Sequence, residues 1–320
     1  ERAKEISTPD GFINTEAFEI ADLIGEKVIL VDFWTYSCIN CQRTTPYLNA
    51  WHEKYEDKGL VIVGMHTPEF EFEKKKSNVI SAMQEHSLTY PVAMDNEYET
   101  WKAFENRFWP AHYLIDEKGE IRYTHFGEGR YAETESAIQQ LLLEAGLLSL
   151  DKIIESVEPP AETDHAKIGT PEIYFGALRI NNVGSDVSGI GVNETHSFEY
   201  PVMPLFNRFY FNGKWTIHPE FSRLESESGG IQLRYRASKV NMVLSTEEQG
   251  GVLAEVRVDG EYLAEDMKGE DVFFQEDRSL IRITDAKLYN IVDAKGRYRS
   301  RTIEIRFLSP GVEVFTFTFG

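Results

Sequence analysis

Val28-Ile29-Leu30-Val31-Asp32-Phe33-Trp34-Thr35-Tyr36-Ser37-Cys38-Ile39-Asn40-Cys41 is the stretch on which the reading of the whole chain turns. From Lys27 to Phe33 it is apolar and β-branched apart from Lys27 and Asp32, as in a strand buried on both faces. A helical pattern runs from Cys41 to about Lys58, so the only two cysteines of the protein fall where a strand turns into a helix. Cysteines separated by two residues can close a small disulfide ring. The first, at a helix N-terminus, is favoured as a thiolate by unpaired N–H groups and the helix dipole. Cys38 is then expected to attack a substrate disulfide, and Cys41, shielded one turn later, to resolve the mixed disulfide.

Other uses of the pair are weighed against that one. Zinc would need two further ligands, and the sequence has no other cysteine and no closely spaced histidine pair, so no metal site is expected. Two buried cysteines without a role are a second alternative. Thr35-Tyr36-Ser37-Cys38 also has the T-x-x-C spacing of peroxiredoxins, in which the threonine hydroxyl polarises a peroxide; a thiol peroxidase stays open on that ground.

Outward from this stretch, residues 1–150 alternate strands and helices. A second buried strand is expected at Leu60–His66. The polar run Glu71–His86 carries Val79, Ile80 and Met83 at helical spacing, which predicts an exposed helix with one apolar stripe. A strand at Tyr90–Met94, a helix through Trp101 and Phe104 and a closing helix over Ala132–Ala145 are expected. Strands Ala111–Ile115 and Ile121–Phe126 are joined by Asp116-Glu117-Lys118-Gly119, a hairpin signal. The sum is a mixed sheet with helices on both faces. Residues 151–170, with Glu158-Pro159-Pro160-Ala161-Glu162, read as a linker. Beyond it the helical period fades and alternating runs take over. Ile231, Leu233, Tyr235 and Ala237 share one strand face, and the same alternation recurs in Val252–Val258, Ile303–Phe307 and Val312–Phe319. Asn212-Gly213 and Asp259-Gly260 read as two-residue turns. Residues 171–320 are therefore expected to form an all-β sandwich of jelly-roll type.

A chain of 320 residues has the length for two cores, and 42% hydrophobic residues mark it as folded. Its 53 acidic and 33 basic residues give a charge of −20, which argues against nucleic acid and anionic membrane as main partners. No apolar run reaches 18 residues, so no membrane-spanning segment is expected. The chain opens at Glu1 without a signal sequence, and is expected to be a processed or excised soluble part of something longer.

Residues 10–145 resemble the thioredoxin superfamily in its TlpA/ResA-type extracytoplasmic branch. The block Phe33-Trp34-Thr35-Tyr36-Ser37-Cys38-Ile39-Asn40-Cys41 is close to the C-terminal part of the DipZ proteins. The resemblance implies an α/β thioredoxin-like domain with Cys38 as nucleophile and Cys41 as resolving cysteine. It implies no cofactor beyond a redox-active Cys38–Cys41 disulfide. Asp32, six residues before the nucleophile, matches the buried acid that relays the resolving cysteine's proton; a strand-end carboxylate bonded to backbone is the alternative. Pro46 matches a helix-kinking proline. Pro110, in Trp109-Pro110, matches the cis-proline whose loop faces the substrate chain. Trp34, Ser37, Ile39, Asn40, Trp109 and Pro110 are accordingly the expected substrate-binding residues. Ser37 and Ile39-Asn40 stand where thioredoxin itself has Trp and Gly-Pro. Glu71–Met94 falls where TlpA-like proteins insert a helix and strand, and His66-Thr67-Pro68-Glu69 either tunes the cysteines or seats that insertion.

The second half is similar to the carbohydrate-binding-module-like domain of DipZ proteins. The likeness lies in Thr170-Pro171-Glu172, Tyr174, Gly176, Val258-Asp259-Gly260, Leu288-Tyr289 and the ending Phe315-Thr316-Phe317-Thr318-Phe319-Gly320. Trp215, Tyr174 and Tyr289 are candidates for a sugar platform, and each fits a core position better. The expected function is an extracytoplasmic, periplasmic-type thiol–disulfide oxidoreductase. It would reduce disulfide-containing proteins with electrons from a membrane carrier of the CcdA/DsbD kind. The alternatives are a sugar- or partner-binding module with a subsidiary redox head, and a thiol peroxidase.

Overall fold

The run Val28–Trp34 is buried at every position, and the first half of the molecule is laid out around it. The computed structural model describes residues 1–7, 9–149 and 163–320. The chain divides into two compact units, Glu1–Glu162 and Thr163–Gly320.

In chain order the first unit contains β1 (Gly11–Ile13), β2 (Val28–Trp34), α1 (Ile39–Tyr55), β3 (Leu60–His66), α2 (Lys76–Glu85), β4 (Val92–Met94), α3 (Glu99–Ala103), β5 (Ala111–Ile115), β6 (Ile121–Phe126) and α4 (Tyr131–Glu144). The sheet order is β1-β4-β3-β2-β5-β6. β2, β3 and β4 are parallel, while β5 and β6 run antiparallel on one side and β1 on the other. Alternate residues of β2 feed two cores. Val28, Leu30 and Trp34 pack with Leu48, Trp51, Ile138 and Leu142 of α1 and α4. Ile29, Val31 and Phe33 pack with Ile20, Phe104 and Tyr113 on the opposite face.

Two details depart from expectation. β1 has too few residues to show a period and exists by pairing with β4. The helix expected over Glu71–His86 is split into a 3-10 turn, Glu71–Lys74, and α2. The break follows from Glu73, which turns inward and accepts hydrogen bonds from the Glu69 and Phe70 backbone N–H groups.

The second unit is built of β7 (Ile173–Tyr174), β8 (Glu194–Phe198), β9 (Phe209–Ile217), β10 (Ser222–Leu224), β11 (Gly229–Ala237), β12 (Lys239–Thr246), β13 (Val252–Val258), β14 (Glu261–Tyr262), β15 (Val272–Gln275), β16 (Arg278–Ile283), β17 (Lys287–Asp293), β18 (Arg299–Phe307) and β19 (Val312–Phe319). The hydrogen-bonded path β15-β16-β13-β18-β11-β9-β10-β19-β12-β17 folds into a sandwich around one apolar core. Asn212-Gly213 is not a turn, contrary to expectation. It lies inside β9, where Asn212 pairs with Gly230 of one sheet and Gly213 with Phe198 of the other. Gly213 has φ +95°, and a Cβ there would meet Ser226 Oγ at 2.7 Å, so the dipeptide bends the strand from one sheet into the next. A second crossing precedes β15: Gly269 N donates to Ile291 O of β17, and the chain then pairs with β16. Asp259-Gly260 does reverse the chain, with both residues at positive φ between β13 and β14.

Trp215 is fully buried and Tyr289 is 2% exposed, so both are core and neither forms a sugar platform. Tyr174 is half-buried with the Arg179 guanidinium 4.1 Å over its ring, which covers the face a sugar would use. Of the stretch read as a linker, residues 151–162 lie outside the described residues. Ile168 packs on the sandwich core and Gly169 N donates to Arg236 O, so both belong to the second unit.

Candidate active site

The site forms where β2 ends and α1 begins. Cys38 is the N-cap of α1, extended at φ −80° and ψ 119°, and Gln42 N donates to its carbonyl at 3.0 Å. Its side chain is half-buried, whereas Cys41 is 3% exposed; both are free thiols. Burial pushes the Cys41 thiol well above its usual pKa, and the hydrogen bond to Cys38, then the charges of Cys38 and Asp32, add to that. Cys41 is the sulfur that keeps its proton.

Behind the cysteines lies Asp32, 1% exposed. In the sheet it stands between Gly64 of β3 and His112 of β5. His112 Nε2 is 3.2 Å from Asp32 Oδ1, yet the pair lacks hydrogen-bond geometry, and Oδ1 has no hydrogen-bond partner among the described residues. The strand-end alternative, a carboxylate satisfied by backbone, is not how this oxygen is placed. Tyr90 faces the same spot: its hydroxyl is buried, and burial together with the charges of Asp32 and Cys41 holds its proton on. Gly64 makes room, since a Cβ there would come within 2.9 Å of Trp34 Nε1 and 3.1 Å of Tyr90 Cε2.

Glu73 closes the site from the inserted segment. It is fully buried and accepts from Ser37 Oγ at 2.6 Å and from Ser37 N at 3.2 Å. It thereby fixes the residue before Cys38. Burial raises its carboxyl above the usual range, and the Glu69 charge adds to the rise, against the hydrogen bonds it accepts. His66 is also fully buried, edge-on to Trp34 at 4.9 Å and stacked on Tyr36 at 5.9 Å. Desolvation holds its pKa down to about 3, so it is neutral at ordinary pH. The Trp109–Pro110 peptide is cis. Trp109 is half-buried, and its Nε1 donates to Thr67 O, at 3.0 Å, in the turn after His66.

Of the expected substrate contacts, Ile39, Asn40 and Trp109 keep accessible surface. Trp34 is 3% and Ser37 2% exposed, so their side chains lie behind the accessible surface beside the cysteines. Pro110 is buried and its carbonyl accepts from Gly127 N at 2.8 Å.

Comparison with known proteins fits this geometry. Residues 1–124 match the AhpC/TSA family and residues 170–320 the thioredoxin-like C-terminal domain family. The thiol-disulfide oxidoreductase YkuV of Bacillus subtilis is 31% identical over 140 residues, which are 44% of this chain and 93% of YkuV. The chain belongs to the thioredoxin-like thiol-disulfide oxidoreductases. This oxidoreductase is also similar to protein DipZ of Mycobacterium bovis, 36% identical over 322 residues, 99% of this chain. It spans 43% of the length of DipZ. A solved structure it resembles is that of a thioredoxin-like protein in the oxidized form, 30% identical, covering 45% of this chain and 96% of that one, with a TM-score of 0.42.

Glu73, Tyr90, His112 and His66's stacked, neutral state are site features that sequence reasoning missed or left undecided. Only His112 left a direct signal, as a histidine inside the apolar run Ala111–Ile115.

Proposed function

We propose that this oxidoreductase reduces protein disulfides through Cys38 and Cys41. The Cys38 thiolate attacks one sulfur of the substrate disulfide and the other leaves as a thiolate. Cys41 then attacks Cys38, breaking the mixed disulfide and leaving the Cys38–Cys41 disulfide with a reduced substrate. Asp32 takes the proton Cys41 loses, while Ile39, Asn40 and the Trp109–Pro110 turn border the approach of the substrate chain. The observation that carries the reading is the half-exposed Cys38 at a helix N-cap, with a buried, protonated Cys41 one turn behind it and a buried carboxylate beneath. A membrane electron carrier of the CcdA/DsbD kind and a working place outside the cytoplasm complete the proposal; their support is the likeness to DipZ.

The test is the reduction potential of the cysteine pair. A value near about −270 mV fits a reductant, and one near about −120 mV overturns the direction. The peroxidase alternative draws on the AhpC/TSA match, but Thr35 is fully buried and does not offer its hydroxyl to a peroxide. Hydrogen peroxide turnover as fast as disulfide reduction would restore it. Carbohydrate binding by the second unit rests on family likeness alone; a blank glycan array with the full chain removes it.

A further inference from the structure

Each turnover of the proposed cycle leaves a proton on Asp32, and that proton has to leave. The carboxylate is 1% exposed, and its neighbours toward the cysteines are Cys41 and Tyr90, under the mouth that a substrate protein covers. Sideways along the sheet the surroundings differ. Asp32 of β2 lies opposite His112 of β5, and His112 lies opposite His125 of β6. Directly opposed residues point to the same face of a sheet, with Cβ atoms roughly 4.5–5.5 Å apart. Three ionisable side chains thus form one row across three neighbouring strands.

The row has the form of a path. His112 Nε2 is 3.2 Å from Asp32 Oδ1, and the rings of His112 and His125 have centroids 6.1 Å apart, a span one bridging water closes. His112 is 1% exposed, while His125 sits half-buried on the outermost strand of that side of the sheet. Among the described residues neither nitrogen of His112 has a hydrogen-bond partner, nor does Nε2 of His125. Bare nitrogens in the interior cost stability, and in this row they belong to side chains that also share one face with a buried carboxylate.

We propose that His112 and His125 carry the resolving-step proton from Asp32 to the sheet edge, so that the site exchanges protons with water while substrate covers its mouth. The inference rests on the roles given above to Cys38, Cys41 and Asp32. Cys41 gives its proton to the Asp32 carboxylate and its sulfur displaces the substrate sulfur from Cys38. The substrate, reduced by two electrons, leaves as a thiolate and is protonated from water. Asp32 passes its proton to His112, His112 to His125, and His125 to solvent, which restores the anion. The groups facing His125 are His112, Arg130, Glu133 and the Glu128 backbone, and burial with the nearby His112 lowers its pKa. A histidine that is neutral at rest can take a proton on one ring nitrogen and release one from the other. His112 and His125 touch no sulfur; they act through Asp32.

Rapid-quench measurements on the full chain with insulin as substrate separate formation of the mixed disulfide from its resolution. In His112→Gln with reductant present the first mixed disulfide should form and resolve within about twofold of the parent. In later turnovers it should persist on the order of tenfold longer, because Asp32 still holds the earlier proton, with the pH dependence of that slower resolution shifted. His125→Ala, at a half-exposed position that tolerates truncation, should show a smaller slowing that added imidazole reverses. Resolution at the parent rate in the later turnovers of both variants overturns the route, as does a His125→Ala defect that imidazole leaves untouched. If His112→Gln fails to fold, His125→Ala decides by itself. A parent chain that forms no mixed disulfide at Cys38 overturns the cysteine assignment, and the route with it.

Discussion

The two units bury charge in opposite ways. Among the described residues of the sandwich the buried acidic and basic side chains are Glu255 and Arg301, 8% and 7% exposed, and each is answered. Glu255 pairs with Arg278, and Arg301 donates to the Ala237 and Arg297 carbonyls. In the first unit Asp32, His66, Glu73, Asp95, His112 and Glu135 are all at 1% or less. Glu73, Asp95 and Glu135 are hydrogen-bonded, whereas Asp32 Oδ1 and both nitrogens of His66 and His112 lack partners among the described residues. An unpaired polar group in the interior costs about 1–3 kcal/mol. The first unit bears that cost on β2, β3 and β5, the strands that end beside the cysteine turn, and a site whose protonation must change is where such a cost is retained. Among the described residues the sandwich leaves Tyr200 Oη, Arg223 Nε, Gln232 Oε1 and Tyr235 Oη without hydrogen-bond partners, but none of these atoms belongs to a buried carboxylate or imidazole.

The sharpest challenge to that contrast is Cys38→Ser, which should abolish insulin reduction while the fold persists by circular dichroism; residual turnover would move the chemistry away from the turn. Trp215→Ala empties the sandwich core and should cost about 3–5 kcal/mol in its unfolding. Disulfide reduction, followed in the same samples, should stay at the parent rate. A parallel loss of activity would show that the sandwich takes part in the chemistry.

Glu73→Ala strands the Ser37, Glu69 and Phe70 donors and should lower stability by about 2–3 kcal/mol in urea titrations. An unchanged midpoint would mean that Glu73 does not hold the turn. The smallest effect concerns pH. His66 has its pKa held down to about 3 against an ordinary 6.5, so its contribution is complete above 6.5 and is lost as pH falls toward the folded value. One pH unit below 6.5 that loss is about 1.4 kcal/mol. In His66→Phe the acid limb of the stability curve should be flatter by that amount; superimposable limbs would rule out a buried neutral histidine.

Much of this was legible beforehand because it depends on local pattern. An apolar run interrupted only by Asp32 and ending in a turn specifies β2, and the cysteines follow from its end. What remained hidden depends on facing and register. Glu73 sits in Glu71-Phe72-Glu73-Lys74-Lys75-Lys76, which reads as a solvated charge run; only the inward turn of its backbone makes it a buried anchor. The opposition of Asp32 and His112 needs the β2–β5 register, which no spacing within either strand supplies. Trp215 and Tyr289 lie on alternating strands, and alternation names two faces without saying which is inside. Asn212-Gly213 has the chemistry of a turn, yet positive φ at Gly213 serves equally to bend a strand that continues.

That bend has a consequence for how the sandwich meets other molecules. β9 stitches its two sheets together along one side, and residues 268–271 stitch them along the other by bonding to β17 before the chain enters β15. The outer side of β17 is therefore occupied, and the other sheet ends in the short β15, Val272–Gln275. An exposed strand edge is a template on which further chains can polymerise. With β17 covered and β15 only four residues long, these two edges give little purchase for such growth.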